Sequence, residues 1–226
     1  MKHSFTLVVG LLLIFSLSSC YTVQNFQSAR TVEKDRGAIG IGLMGGSSYS
    51  FDVDNNVDSF DNNDLNIPFA DWAIYGRYGV SDRFDLGIHY GMISGNFVID
   101  GKYMALGDQN TSFVLSPGLA LSSNLYAFGS IRQFQLEVPI HTSFYVSDNF
   151  GVIFSPRYVG QNSRFDLFRD NNGWVNYVGL TAGFEFGRKV KGIFGINYLT
   201  PVGVEYNAPD ISIDVLNVGF GVTFPL

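Results

Sequence analysis

Cysteine is nearly absent. Cys20 is the single one in the chain, so neither an intrachain disulfide nor a cysteine cluster for zinc can form. Charge is scarce too, at 15% of residues, and no basic run occurs. With a formal net charge of −6 the chain offers no surface suited to a phosphate backbone, which excludes nucleic acid as a partner. The apolar run from Leu7 to Leu17 is too short to span a bilayer as a helix. There is no phosphate-binding glycine loop, no nucleophile elbow, and no helix long enough to carry one. No cofactor and no metal centre are expected.

What is present is aromatic and small: 15% aromatic residues and 26 glycines. Nothing in the composition marks a second domain. The clearest pattern runs from Phe134 to Tyr158. Leu136, Val138, Ile140, Thr142, Phe144 and Val146 share one face, and after Ser147-Asp148-Asn149 the same face continues through Phe150, Val152, Phe154, Pro156 and Tyr158. The other face carries Gln135, Glu137, His141, Ser143 and Tyr145, then Gly151, Ser155 and Arg157. A period of two means strand. A soluble sandwich turns its apolar face inward, whereas a transmembrane barrel turns it to lipid and lines its lumen with small or polar groups. Repetition of the hairpin favours the barrel.

The expected strands are, in order, Ile39 to Leu43, Ala70 to Tyr78, Phe84 to Met92, Phe113 to Leu121, one beginning at Leu125, the two arms of the central hairpin, Val178 to Phe186, Phe194 to Tyr198, and Leu216 to Phe224. Tight turns are expected at Ser81-Asp82-Arg83, Ser122-Ser123-Asn124, Ser147-Asp148-Asn149 and Arg188-Lys189-Val190. Solvated loops are expected at Tyr49 to Ile67, Gln161 to Gly173 and Thr200 to Ser212. The stretch from Ser94 to Asn110 reads less clearly, and Asn96 to Leu106 would make a short extra hairpin. The pattern thus predicts an all-β, antiparallel, up-and-down transmembrane β-barrel of about ten strands, eight if the strands around Leu125 are misread and twelve if Asn96 to Leu106 pairs with itself. An even count is the firmer expectation.

Residues 1–19 form a signal peptide by their charged start, apolar run and small-residue site. Leu17-Ser18-Ser19-Cys20 resembles a bacterial lipobox, which implies that Cys20 is lipidated and becomes the first mature residue. The plain alternative is a free cysteine beside an ordinary cleavage site. Residues 20–36 are polar and aperiodic and read as a lipid-anchored tether between lipid and barrel, the alternative being a plug folded into the lumen.

The hairpins make residues 37–226 resemble bacterial outer-membrane β-barrel proteins. That resemblance implies the outer membrane as location, a periplasmic lipid-anchored N-terminus, outer-membrane lipid and lipopolysaccharide as surroundings, and recognition by the barrel assembly machinery. Pro225-Leu226 depart from the terminal aromatic residue common in that family. A soluble partner is not indicated.

Function is sought on the inward face, at Asp71, Tyr75, Arg77, Asp85, His89, Glu137, His141, Arg157, Glu185, Asn197 and Asn217. If Val80 pairs with Phe84, Arg77 lies diagonal to Asp85 and Tyr75 faces His89. Arg157 falls opposite Pro139, between Glu137 and His141. The expected role of this set is a lumen network of ion pairs and hydrogen bonds in an occluded, non-enzymatic barrel with a structural or surface-interaction role. The first alternative is a narrow channel whose selectivity the same charges set. The second is an enzyme resembling the outer-membrane proteases and lipid A acyl-modifying enzymes, for which His89 or His141 would have to be the catalytic histidine. Asp52 to Asp58 places oxygens at alternate positions as a calcium loop does, but Val57 replaces the required glycine and Asn63 the bidentate glutamate. An ordinary acidic loop is expected there.

Overall fold

A computed structural model describes residues 27–52, 66–124, 131–165, 172–204 and 211–226. The strands are β1 (Gly37–Asp52), β2 (Asn66–Ser81), β3 (Phe84–Gly91), β4 (Asn96–Tyr103), β5 (Phe113–Asn124), β6 (Ile131–Ser147), β7 (Phe150–Phe165), β8 (Asn172–Phe186), β9 (Lys191–Val204) and β10 (Ile211–Pro225). Each pairs antiparallel with its sequence neighbours, and β10 pairs with β1 to close a ten-stranded barrel. The predicted signal peptide 1–19, Cys20, residues 21–26 and the acidic stretch 53–65 lie outside the described residues.

The alternation in sequence becomes an inside and an outside. Leu43, Trp72, Ile88, Ile99, Leu119, Ile140, Phe154, Val178, Ile196 and Phe220, one from each strand, are all exposed on the outer wall. Aromatic rings cluster on β7 to β10 near the end where β1 begins: Phe184 stacks on Phe194 at 5.2 Å and Phe186 on Phe220 at 6.2 Å. Inside, the buried set is dominated by Asp, His, Ser, Asn, Gln, Lys and Arg. Three small apolar clusters interrupt it, around Met44 and Val98, around Met104 and Val114, and around Tyr177 and Leu199.

The even count holds at ten, with one strand exchanged. Asn96–Tyr103 is a single strand, β4, pairing with both β3 and β5. The strand expected from Leu125 begins at residues 125–130, which lie outside the described residues. Ser122, Ser123 and Asn124, expected to turn, are the last residues of β5, where Ser122 pairs with Gln135 and Ser123 with Phe134 of β6. Asp100-Gly101 in mid-β4 has the composition of a hairpin turn, which masks the alternation around it.

Three expected loops are partly strand. β1 and β2 continue to the pair Tyr49↔Asn66, β7 and β8 to Arg164↔Asn172, and β9 to Val204. Around the β7–β8 pairs polar residues on both faces erase the period-two signal while the backbone ladder continues, and in β9 Pro201 reads as a loop residue. It sits where the register shifts against Asn176 and Tyr177, a bulge that tolerates the missing N–H. A second bulge displaces Val80, so that Ser81 pairs with Phe84, while Gly79↔Asp85 and Tyr75↔His89 keep the expected register.

The start of β1 and the C-terminus lie at one end. Leu226 donates its backbone N–H to the Gly37 carbonyl at 2.9 Å, and the turns Asp82-Arg83, Asp148-Asn149 and Gly187 to Val190 belong to the same end.

Where a tether was expected, the described part of the N-terminal segment, residues 27–36, takes the alternative arrangement and folds into the lumen, because its main-chain groups find partners there. Arg36 and Asp35 hydrogen-bond across Gly79 of β2, and the chain then enters the lumen, burying Gln27, Ser28, Ala29 and Thr31. Asp35 makes the reversal with a φ of 60°, a left-handed conformation that Asp tolerates better than most residues.

Candidate functional site

The site is built on β2, β3 and β4 and completed by the N-terminal plug. The register Arg77↔Gly87↔Asp100 puts a glycine between a cation and a carboxylate, and a Cβ at Gly87 would collide with both. The guanidinium of Arg77 uses that space to bridge two acids. Its Nη1 donates to Asp100 Oδ1 at 2.7 Å and its Nη2 to Asp85 Oδ1 at 2.5 Å. His89 Nε2 lies 2.8 Å from Asp100 Oδ2, and Tyr75 stacks on the His89 ring at 5.5 Å while its hydroxyl meets Thr223 Oγ1 at 2.7 Å. All of Arg77, Asp85, His89 and Asp100 have buried side chains. A fork-shaped cation between two carboxylates satisfies three buried charges at once.

The plug satisfies the remaining lone pairs. Gln27 Nε2 donates to Asp100 Oδ1 at 3.1 Å and the Val32 N–H donates to Asp85 Oδ2 at 2.8 Å. Lys102 Nζ donates to the Ser28 carbonyl at 2.6 Å and stands 3.9 Å from Asp85. On the facing wall, Ser143 Oγ accepts from the Ala29 N–H at 2.9 Å and Ser116 Oγ donates to the Ala29 carbonyl at 2.6 Å. Arg30 lies 3.5 Å above the centre of the Tyr145 ring and donates to the Thr111 carbonyl. One short segment thus touches β3, β4, β5 and β6.

Space inside is limited. A cavity of about 330 Å³ opens between the plug and the wall at the end where β1 begins. Deeper, between Met44, Ala73, Tyr75 and His89, about 20 Å³ remains, room for roughly one water.

The other residues singled out from sequence fall into separate groups. Glu137 pairs with Arg157 at 2.9 Å across β6 and β7, and Arg157 lies opposite Pro139. His141 Nδ1 is 3.4 Å from Ser155 Oγ. Glu185 accepts from Lys191 at 2.9 Å across the β8–β9 turn. Asn197 accepts from Thr181 at 3.0 Å and pairs in register with Asn217. Asp71 stands apart from all of these. It caps the β3–β4 turn, accepting from the Ile93 N–H at 2.9 Å and the Ser94 hydroxyl at 2.6 Å. Sequence reasoning missed Asp100 and Lys102, which lay in the stretch read as unclear, and Gln27 to Val32, whose hydrogen bonds are mostly made by backbone atoms.

The two histidines of the described residues have different surroundings. Ser155 and His141 form a dyad enclosed within the wall, with no carboxylate hydrogen-bonded to His141 among the described residues. His89 has its carboxylate, but no hydroxyl nucleophile hydrogen-bonds to it among those residues. No group of His, Cys, Asp and Glu fit to hold a metal occurs among the described residues.

No protein-family model and no curated protein matches the sequence. Solved structures similar to this chain are bacterial outer-membrane proteins. The outer membrane protease OmpT from Escherichia coli is 11% identical over 88% of this chain and 100% of its own, with a TM-score of 0.47. An outer membrane channel from Pseudomonas putida F1 is 10% identical over 91% of this chain and 100% of its own, with a TM-score of 0.45. The Neisserial surface protein A is 9% identical over 83% of this chain and 97% of its own, with a TM-score of 0.41.

Proposed function

We propose that this chain is a non-enzymatic barrel of the bacterial outer membrane whose lumen is closed by its own N-terminal segment, with a structural or surface-interaction role. The observation that carries the reading is the seating of Gln27 to Val32 on Asp85, Asp100, Lys102, Ser116 and Ser143. Support for the membrane comes from the outer wall, since exposed apolar side chains on every strand far exceed what a soluble monomer leaves to water. In this reading Cys20 carries acyl chains that hold the N-terminus at the periplasmic surface, and the end where β1 begins faces the periplasm. Mass spectrometry of the mature N-terminus tests the lipid, and an unmodified Cys20 would end that part of the proposal.

Conductance in planar bilayers tests the closure. The full chain is expected to be silent, and a chain lacking residues 21–36 to show discrete current steps. Charge-selective steps from the intact chain, abolished in Arg157→Ala, would establish a channel instead. One observation favours that second reading: the plug is held mainly by hydrogen bonds, which water can replace, and each contributes only about 1 kcal/mol net. A hydrolase like the protease named above would need altered lipid A or cleaved surface peptides that vanish in His89→Ala or His141→Ala while the barrel still folds.

A further inference from the structure

The cavity between plug and wall has an unbalanced lining. Its three carboxylates each have a cation: Glu33 pairs with Arg36 at 3.1 Å, Asp85 with Arg77 at 2.5 Å and Glu185 with Lys191 at 2.9 Å. Arg77 also holds Asp100, so Arg77 and Lys102 together offset Asp85 and Asp100, and three further cations line the same space, namely Arg30, Arg188 and Lys189. Arg30 and Lys102 are held against Tyr145 and the Ser28 carbonyl, and Lys102 is buried. Arg188 and Lys189, on the β8–β9 turn at the cavity mouth, have no carboxylate partner among the described residues. The same lining includes the apolar groups Val32, Ala38, Ile193 and Pro225 and the ring of Tyr75. A cleft of this volume is at the small end of ligand pockets, which join an apolar body site to a few convergent polar groups.

We infer that this cavity binds a small amphipathic organic anion, its carboxylate or equivalent group held by Arg188 and Lys189 and its hydrocarbon part lying against Ile193, Val32 and Tyr75. The surplus of positive charge rejects cations and the apolar part of the lining disfavours a fully hydrated inorganic ion. Residues of the plug form one wall, so the site exists only with the segment docked and to that extent rests on the closed barrel proposed above. Ligand binding then stabilises the docked state by linkage.

The test is titration calorimetry of the full chain in detergent micelles with naphthoate and, as its uncharged counterpart, naphthamide. Naphthoate is expected to bind saturably, and naphthamide about tenfold or more weakly, the usual effect of losing one charge-assisted contact. The Arg188→Ala/Lys189→Ala double variant should lose naphthoate affinity by a similar factor. Arg83→Ala, which removes a cation at the same end outside the cavity, should not. Ile193→Trp, which adds bulk to the apolar lining, should abolish binding of both compounds, with heat-modifiable gel mobility reporting that each variant is folded. Equal binding of acid and amide, unchanged affinity in the double variant, or no saturable binding by the intact chain would each overturn the site. Conductance measured on the same preparation separates the two readings. A silent chain that ignores naphthoate defeats the ligand site alone, and a conducting chain that binds it defeats the closure alone.

Discussion

Arg77 holds two buried carboxylates on one guanidinium, and neither acid has another full cation closer than Lys102 at 3.9 Å from Asp85. Removing it leaves two like charges enclosed in the wall. Arg77→Ala is therefore expected to destabilise the barrel by about 3–5 kcal/mol, the usual cost of breaking a buried pair from one side. Urea unfolding in lipid vesicles would read the shift. Arg77→Lys should recover only part of it, because a single ammonium cannot bridge both acids in the fork geometry. The pairing of Arg77 with Asp85 was legible in the sequence, since it follows from strand register alone. Asp100 was not, because Asp100-Gly101 mimics a turn. Asp71 was grouped with Arg77 because both point inward, yet they are six residues apart on one strand, about 20 Å of extended chain. Facing the same way is a period-two property, whereas meeting is a matter of height along the axis. Sequence alternation supplies only the first.

At the scale of the element, the plug depends on one close approach. Gly79 of β2 lies under the carbonyls of Val32 and Glu33, and a Cβ there would overlap both oxygens. Backbone atoms cannot rotate away as a side chain would. Gly79→Ala is thus expected to lift the segment without disturbing the β2–β3 ladder, and to give intermittent current steps in planar bilayers where the parent chain gives none. A silent Gly79→Ala variant whose segment 27–36 resists protease as the parent does would show that the plug is seated by its other contacts alone. Strand existence was readable because the outward-facing apolar residues repeat, and strand ends were not. β1, β7 and β9 extend beyond the apolar pattern that revealed them, β7 through residues polar on both faces and β9 through Pro201. The sequence pointed to a tether and not to the plug, since an aperiodic polar segment held largely through main-chain hydrogen bonds leaves little mark in its side chains.

At the scale of the molecule, the outer wall decides the solvent. Leu43, at 63% exposure, is among the most exposed large side chains of β1. In water, Leu43→Arg at such a site would change stability by roughly 0.5 kcal/mol or less. In hydrocarbon it is expected to cost about 2–4 kcal/mol if it sits near the bilayer midplane. Measuring refolding into vesicles for the parent and this variant distinguishes the two solvents with one substitution. The all-β, closed, antiparallel architecture was legible because every strand obeys the same inside–outside rule, and the exchange of one strand left the number unchanged.

The seam between β1 and β10 joins the beginning of the wall to its end. The segment that sits inside precedes β1 in the chain, and the wall closes around it like a cask around its own bung. A peptide copy of that stretch, offered to a finished cylinder, would have to squeeze past Glu185 and Lys191 instead of being wrapped. Restoring closure from outside should therefore be slow even where the seated state is the stable one.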